Sequence, residues 1–295
     1  MAEGVAGNQG LRTLWARPSI GTAAFLAGPA IWFVGLYLAA LTAMFVSAFW
    51  RVDGLSGEII PDWSFDNFTE IATSAIYRTI AWRTVGIAAA VTVTDALLAF
   101  PFAWFLAHHA SPRMRTGLIA AVMIPLWSSY LARVYAWRLI LAHDGVLNWT
   151  LARVGLGGLS IAYSNWAMWI VFSYLWLPFM ILPLYAGLER IPRPLLEASA
   201  DLGAGGWRTL RRVVLPLALP GLAAGSIFTF SLTLGDYVSP MLVGGPGSDF
   251  IGNVVYSNVG VSNNIPFAAA YATVPLVVMA LYLLAARAAG AFRAL

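Results

Sequence analysis

The chain of 295 residues is apolar and poor in charge: 60% of its residues are hydrophobic, 10% are charged, and the mean hydropathy is +0.76. This composition is typical of a polytopic membrane protein and excludes an ordinary soluble domain. Because the chain has no cysteine, disulfide bonds, a thiol nucleophile and a cysteine metal site are excluded as well. The net charge of +4 comes from arginines spread along loops, which indicates membrane topology rather than nucleic-acid binding.

Six stretches are long and apolar enough to cross a bilayer, for which about 20 residues are needed. We predict an all-α, six-span fold with spans at residues 22–49, 80–107, 116–138, 166–188, 217–235 and 267–287. The first apolar run is too long for a cleaved signal peptide, and no small-residue cleavage site closes it. We therefore expect an N-terminal segment, 1–21, followed by one transmembrane domain, 22–295.

The distribution of arginines orients the predicted bundle. The side that holds the termini carries 11 of the 17 basic residues, and the other side carries the remaining six against eight acids. The eleven are Arg12, Arg17, Arg113, Arg115, Arg190, Arg193, Arg208, Arg211, Arg212, Arg287 and Arg293. Because positive charge favours the cytoplasmic side, both termini and the polar loop 189–216 are expected in the cytoplasm.

The first half of this loop has the signals of a short helix. Pro192 ends the fourth span, and Pro194 can open a new helix that runs to Leu202. Glu197 and Asp201, four residues apart, would project two negative charges together.

The second half contains a turn and a new start. Gly203 fits a left-handed helix cap, a second short helix is predicted over 206–213, and Pro216 is expected to restart the chain as the fifth span. The pattern predicts a helix-turn-helix across the cytoplasmic mouth of the bundle. An ordinary basic loop is the alternative.

The spacing of this segment resembles a family signature. Glu197-Ala198-Ser199, Gly203 and Val213-Val214-Leu215-Pro216 are similar to the loop of permease subunits of bacterial ATP-binding-cassette importers. The family pattern is Glu-Ala-Ala, three residues, Gly, nine residues and Ile-x-Leu-Pro, so Ser199 and Val213 are mild departures. The resemblance implies the type I importer permease fold, with the loop docked on a cytoplasmic ATPase. The residues assigned to that coupling are Glu197, Ala198, Ser199, Asp201, Leu202, Gly203, Leu215 and Pro216.

Other stretches resemble the spermidine/putrescine-type permeases. They are residues 66–68, 129–137, 145–148, 234–240 and 242–247. The resemblance implies import of polyamines across the bacterial inner membrane, with another small organic cation or an amino-acid-like solute as the alternative. It also implies three partners besides the lipid bilayer: a second permease in a heterodimer, a periplasmic or lipid-anchored binding protein, and an ATPase dimer.

No catalytic constellation is visible in the sequence. It contains no recognisable Ser/His/Asp set, no metal-ligand spacing and no phosphate-binding loop with its lysine. We expect no catalytic residue, metal site or cofactor in this chain, with ATP and Mg²⁺ bound by the partner ATPase. A secondary transporter driven by an ion gradient through Asp95 is the rival of a different class.

The substrate path offers six candidate residues. Asp95 is the one acid inside a span, where an ionisable group is expensive and by default functional. The alternatives are hydrogen bonds to nearby threonines, Thr92 and Thr94, or an ion pair with Arg133.

The other candidates lie towards span ends. Asp236 and Tyr237 close the fifth span, either as substrate contacts or as a plain helix-terminal turn. Trp137, Trp169 and Trp176 could offer cation–π contacts, although tryptophan at span ends ordinarily belongs to the interfacial belt.

Overall fold

The structure, a computed structural model, describes residues 18–54, 56–288 and 290, with side chains from residue 25 onward. The predicted N-terminal segment therefore lies outside the described residues up to position 17. The described chain is helical apart from a small antiparallel hairpin of β1 (Arg51–Val52) and β2 (Ile59–Ile60), in which Arg51 lies opposite Ile60.

Fourteen α-helices are numbered within the described residues. The first seven are α1 (Pro18–Trp32), α2 (Ala39–Ser47), α3 (Asp66–Thr73), α4 (Ala75–His108), α5 (Pro112–Trp127), α6 (Tyr130–Leu141) and α7 (Val146–Arg153). The others are α8 (Asn165–Glu189), α9 (Arg193–Asp201), α10 (Gly206–Thr209), α11 (Leu215–Gly235), α12 (Val238–Val243), α13 (Ile251–Gly260) and α14 (Ile265–Ala288). Two π-helical segments, Phe33–Leu38 and Leu210–Val214, connect α1 to α2 and α10 to α11.

Five helices of the described residues are long and apolar enough to cross a membrane, and a bent pair would make a sixth. The five are Phe25–Ser47, Ala75–His108, Asn165–Glu189, Gly206–Gly235 and Ile265–Ala288. They coincide with five of the six predicted spans. The all-α polytopic membrane fold predicted from the sequence is confirmed.

The third predicted span, 116–138, is broken rather than straight. Helix α5 ends at Trp127, α6 begins at Tyr130, and the two segments of the pair differ in direction by 94°. Pro125 lies in the last turn of α5, and its carbonyl accepts hydrogen bonds from the amide and the hydroxyl of Ser128. Since Ser128 is then extended, the helix cannot continue.

The start of the fifth span also differs from the prediction. Instead of restarting at Pro216, the helix runs without a break from Gly206 to Gly235. The turn before the proline is the π-helical segment Leu210–Val214. A wider turn of this kind accommodates a proline, which lacks the amide hydrogen that an α-helix needs.

Helix α8 forms the centre of the bundle, between α4 and α11. Its inward face carries large buried side chains, among them Phe172, Met180 and Leu184. Against α11 the contact is made by glycines: the Cβ of an alanine at Gly221 would lie 2.7 Å from the carbonyl oxygen of Pro183. Small residues permit this close approach of two helices in a membrane.

Candidate functional site

The first half of the loop between α8 and α11 folds as the sequence predicts. Helix α9 ends with Gly203 at φ +74°, and the amide of Gly203 donates to the carbonyl of Ala200 at 2.8 Å. The amide of Ala204 donates to the carbonyl of Ser199 at 3.1 Å. These two bonds form a Schellman motif, which requires the left-handed conformation that glycine adopts at little cost.

The outer face of the loop combines two carboxylates and two large apolar side chains. Glu197 and Asp201 are exposed, and neither forms an ion pair within the described chain. Leu202 is 87% exposed and Trp207 is 73% exposed. Because apolar groups in water gain stability when covered, this face has the properties of a docking surface.

The inner face holds the loop on the bundle. Leu196 and Leu210 pack against a buried cluster that includes Leu188 and Val214. Ser199 Oγ lies 2.9 Å from Thr209 Oγ1, so a hydrogen bond links the two short helices. The serine that departs from the alanine of the family pattern thus has a structural role.

The remaining residues assigned to coupling occupy two different places. Ala198 is exposed on α9, beside Glu197. Leu215 and Pro216 begin α11, beyond the π-helical turn.

Arg115 joins three helix ends at the base of the loop. Its Nη1 lies 2.8 Å from Oε1 of Glu189, the last residue of α8. Its Nε and Nη2 donate to the carbonyls of Leu106 and Ala107 at 3.1 and 3.2 Å, which caps the end of α4. A cation at a helix C-terminus is stabilising, so this guanidinium fixes the position from which the loop departs.

A polar network lies at the opposite end of the bundle, after α11. Asp236 is buried, and its Oδ1 accepts the amides of Val238 and Ser239 at 2.8 and 3.1 Å. Its Oδ2 accepts hydrogen bonds from the hydroxyls of Tyr130 and Ser239. Both carboxylate oxygens are therefore satisfied within the chain.

A cavity of about 370 Å³ adjoins this network. Asp236 and Tyr237 line it together with Tyr130 and Trp176, whose rings stack with centroids 6.0 Å apart. Three candidates from the sequence, Asp236, Tyr237 and Trp176, are thus brought together. Trp137 and Trp169 do not line this cavity; Trp137 packs against Tyr174, and Trp169 donates to Thr94.

Tyr130 and Ser239 were not predicted as site residues from the sequence. Tyr130 is 106 positions from Asp236 in the chain, and no local pattern relates them. The only available signal was that both stretches resemble the same family.

Asp95 is separate from this cavity. It has no accessible surface, and neither carboxylate oxygen has a hydrogen-bond partner at normal distance among the described residues. The alternatives considered from the sequence are not formed: Thr92 donates to Ala88, Thr94 accepts from Trp169, and Arg133 has no ion pair within the described residues. Ser173 Oγ is the polar group next to Asp95, at a separation too long for a well-formed hydrogen bond.

Comparison with known families identifies the chain. The family described as binding-protein-dependent transport system inner membrane component matches residues 83–292. The chain belongs to this family. This permease is 46% identical to the inner membrane ABC transporter permease protein YdcU of Escherichia coli over 95% of its own length and 93% of the relative's. It is 33% identical to the spermidine/putrescine transport system permease protein PotB of Haemophilus influenzae, over 74% and 76%.

Solved structures of similar fold are ABC transporters. A bacterial alginate ABC transporter, solved with an alginate pentasaccharide-bound periplasmic protein, has a chain that matches this permease with a TM-score of 0.72 and 20% identity, covering 92% and 95% of the two chains. The MetNI methionine ABC transporter, in an inward facing conformation, has a chain that matches with a TM-score of 0.55 and 19% identity, covering 72% of this chain and 93% of the other.

The permease is thus an inner-membrane transport subunit of an ABC importer. Importer permeases of this kind work with a substrate-binding protein and an ATPase.

Proposed function

We propose that this permease carries polyamines, spermidine and putrescine, into the cell in an importer powered by a separate ATPase. The PotB relatives, named for spermidine and putrescine transport, support the cargo. Another small organic cation or an amino-acid-like solute is the alternative, since the more similar YdcU carries no substrate in its name.

The α9–α10 loop docks on the cytoplasmic ATPase. The observation that carries this assignment is the outer face, where Leu202 and Trp207 are 87% and 73% exposed beside unpaired Glu197 and Asp201. Gly203 supplies the sharp turn, and the small Ala198 and Ser199 allow close approach. ATP and Mg²⁺ are bound by the ATPase dimer, so this chain has no catalytic role.

The transport path is shared with a second permease, most simply a different but similar chain, and receives substrate from a periplasmic or lipid-anchored binding protein. On this chain the path runs past Asp236, Tyr237 and Trp176, which line the cavity described above. Trp137 and Trp169 support the same end of the bundle, whereas Asp95 is out of reach in this conformation. Closure of the ATPases stabilises one of two arrangements of the helices relative to the other.

Reconstitution tests this function. The complex of both permeases and the ATPase in proteoliposomes, with the binding protein added outside, should take up radiolabelled spermidine only when ATP is enclosed. Uptake without the ATPase, abolished by collapse of the proton gradient, would instead establish the secondary transporter.

A charge-reversal variant tests the docking of the loop on the ATPase. Glu197→Arg in an assembled complex should lower uptake at least tenfold while ATP hydrolysis continues. Asp144→Arg makes the same change of charge at a carboxylate whose side chain is 99% exposed at the opposite end, and it should leave both rates unchanged. Normal uptake by Glu197→Arg would refute the docking.

A further inference from the structure

A second and larger cavity lies near the first, between α12, the glycine-rich turn that follows it and α13. Its volume is about 580 Å³, which falls within the range of small-molecule sites. The residues of its wall that bear on a ligand are Met241, Pro246, Asp249, Tyr256, Ser257 and Asn258. None of them was among the site residues predicted from the sequence.

Among the described residues that line this cavity, Asp249 alone is charged. Its side chain is exposed, and within the described chain its carboxylate forms neither a hydrogen bond nor an ion pair. The nearby Arg83 donates from Nη1 to the backbone oxygen of Asp249 at 3.2 Å and forms no direct ion pair with its carboxylate within the described chain. Asp236, in contrast, has both oxygens occupied, which leaves Asp249 as the free carboxylate of this region.

An aromatic pair connects the two cavities. Tyr256, 50% exposed, lines the larger cavity, and Tyr237 lines the smaller one. Their rings stack with centroids 4.8 Å apart and an interplanar angle of 14°. An aromatic face beside a carboxylate is a suitable environment for an ammonium group, through charge and cation–π attraction.

We propose that the larger cavity is an entry site for a small organic cation. Asp249 binds an ammonium group, Tyr256 and Met241 contact the alkyl chain, and Ser257 provides a hydroxyl. The cation then passes the stacked tyrosines to the cavity beside Asp236. The inward direction and the polyamine cargo rest on the function proposed above, but the preference for positive charge does not.

Introduced thiols test the site directly, because the chain has no cysteine. In the assembled complex, the ratio of the reaction rates with a cationic and an anionic methanethiosulfonate reagent of similar size should be about tenfold higher at Ser257→Cys than at Ser160→Cys. The comparison with a second cysteine is needed because a thiolate favours the cationic reagent at any site. Adding Asp249→Asn should bring the two ratios together. Ser160→Cys, exposed in another loop at the same end, is the matched control, and its reactivity ratio should not respond to Asp249→Asn.

Protection by ligands separates the two proposals. Spermidine should slow labelling of Ser257→Cys and leave Ser160→Cys unaffected, and Asp249→Asn should abolish the protection. If spermidine and putrescine fail but ethanolamine or choline protects in an Asp249-dependent manner, the site stands and the polyamine cargo is wrong. Reactivity that is indifferent to Asp249, or absence of protection by every amine, would overturn the site even if wild-type uptake of spermidine proceeds.

Discussion

The hydroxyl of Tyr130 donates a hydrogen bond to Oδ2 of Asp236 and joins the broken span to the end of α11. Tyr130 is the first residue after the 94° bend, and Asp236 is the first residue after α11. The same tyrosine lies 2.7 Å from the hydroxyl of Ser239 at the start of α12. Tyr130 and Asp236 both line the smaller cavity, so in the proposed function a break in this network would change access to the substrate path.

Removal of the Tyr130 hydroxyl tests this role. Tyr130→Phe should destabilise the purified complex by about 2 kcal/mol, since a hydrogen bond to a charged group is lost, and should lower ATP-driven uptake severalfold. Thermal unfolding and uptake are the measurements. Tyr135→Phe, an exposed tyrosine of the same helix, is the control and should change neither. Equal effects of the two variants would contradict a special role for Tyr130.

Gly203 provides a second prediction. Gly203→Ala places a side chain at φ +74°, at a cost of about 1 kcal/mol or more, and should weaken the retention of the ATPase on the permease. Gly206→Ala is the matched control because its Cβ would meet nothing within 4 Å and its φ is not positive. Co-purification of the ATPase and ATP-driven uptake measure the difference. Full coupling in Gly203→Ala would show that the turn tolerates another backbone conformation.

The contact between α8 and α11 gives a third prediction. In Gly221→Ala the new Cβ would lie 2.7 Å from the carbonyl oxygen of Pro183, so the helices must separate, at about 1–3 kcal/mol. Gly86→Ala, in an open position on α4, should be neutral or slightly stabilising because alanine favours helix. Thermal unfolding of the complex in detergent distinguishes them. A stable Gly221→Ala would mean that the bundle repacks at this point without cost.

Asp95 and Asp236 respond differently to the same substitution. Asp95→Asn keeps the shape of the side chain and an oxygen that can accept a hydrogen bond from the neighbouring Ser173. It should therefore retain uptake within about twofold. Asp236→Asn should reduce stability and uptake, because an amide cannot accept all four hydrogen bonds that Asp236 receives. Spermidine uptake and thermal unfolding compare the pair. Loss of uptake in a stable Asp95→Asn complex would place Asp95 on the path in another conformation.

Features of the fold that depend on residues close together in the sequence were predicted correctly. Apolar runs located five of the spans, and the left-handed Gly203 with the short helix before it followed from the order of proline and glycine. The bend at Ser128 was missed because the apolar run continues through it. The helix ends there because Ser128 donates hydrogen bonds to the carbonyl of Pro125, and hydropathy contains no information on hydrogen bonds. The continuous helix through Pro216 was missed because a π-helical turn has no simple sequence signal.

The candidate site was predicted only in part, because its contacts are distant in sequence. Asp236 and Tyr237 were found at a span end, but the partner of Asp236 is Tyr130, on another helix. Asp249 was overlooked since an acid in a loop resembles any solvated charge. Only the folded chain shows that both carboxylate oxygens of Asp236 accept hydrogen bonds. It also shows that the carboxylate of Asp249 forms no ion pair within the described residues.

The unbroken helix from Gly206 to Gly235 has a thermodynamic consequence for both ends of the molecule. Its 30 residues form a rod of about 45 Å, so a tilt of about 10° at Trp207 displaces the Asp236 end by about 8 Å. If ATPase docking favours rupture of the Tyr130–Asp236 bond, rupture of that bond must tighten ATPase docking by the same factor. Tyr130→Phe should then alter the affinity of the permease for the ATPase at the far side of the membrane.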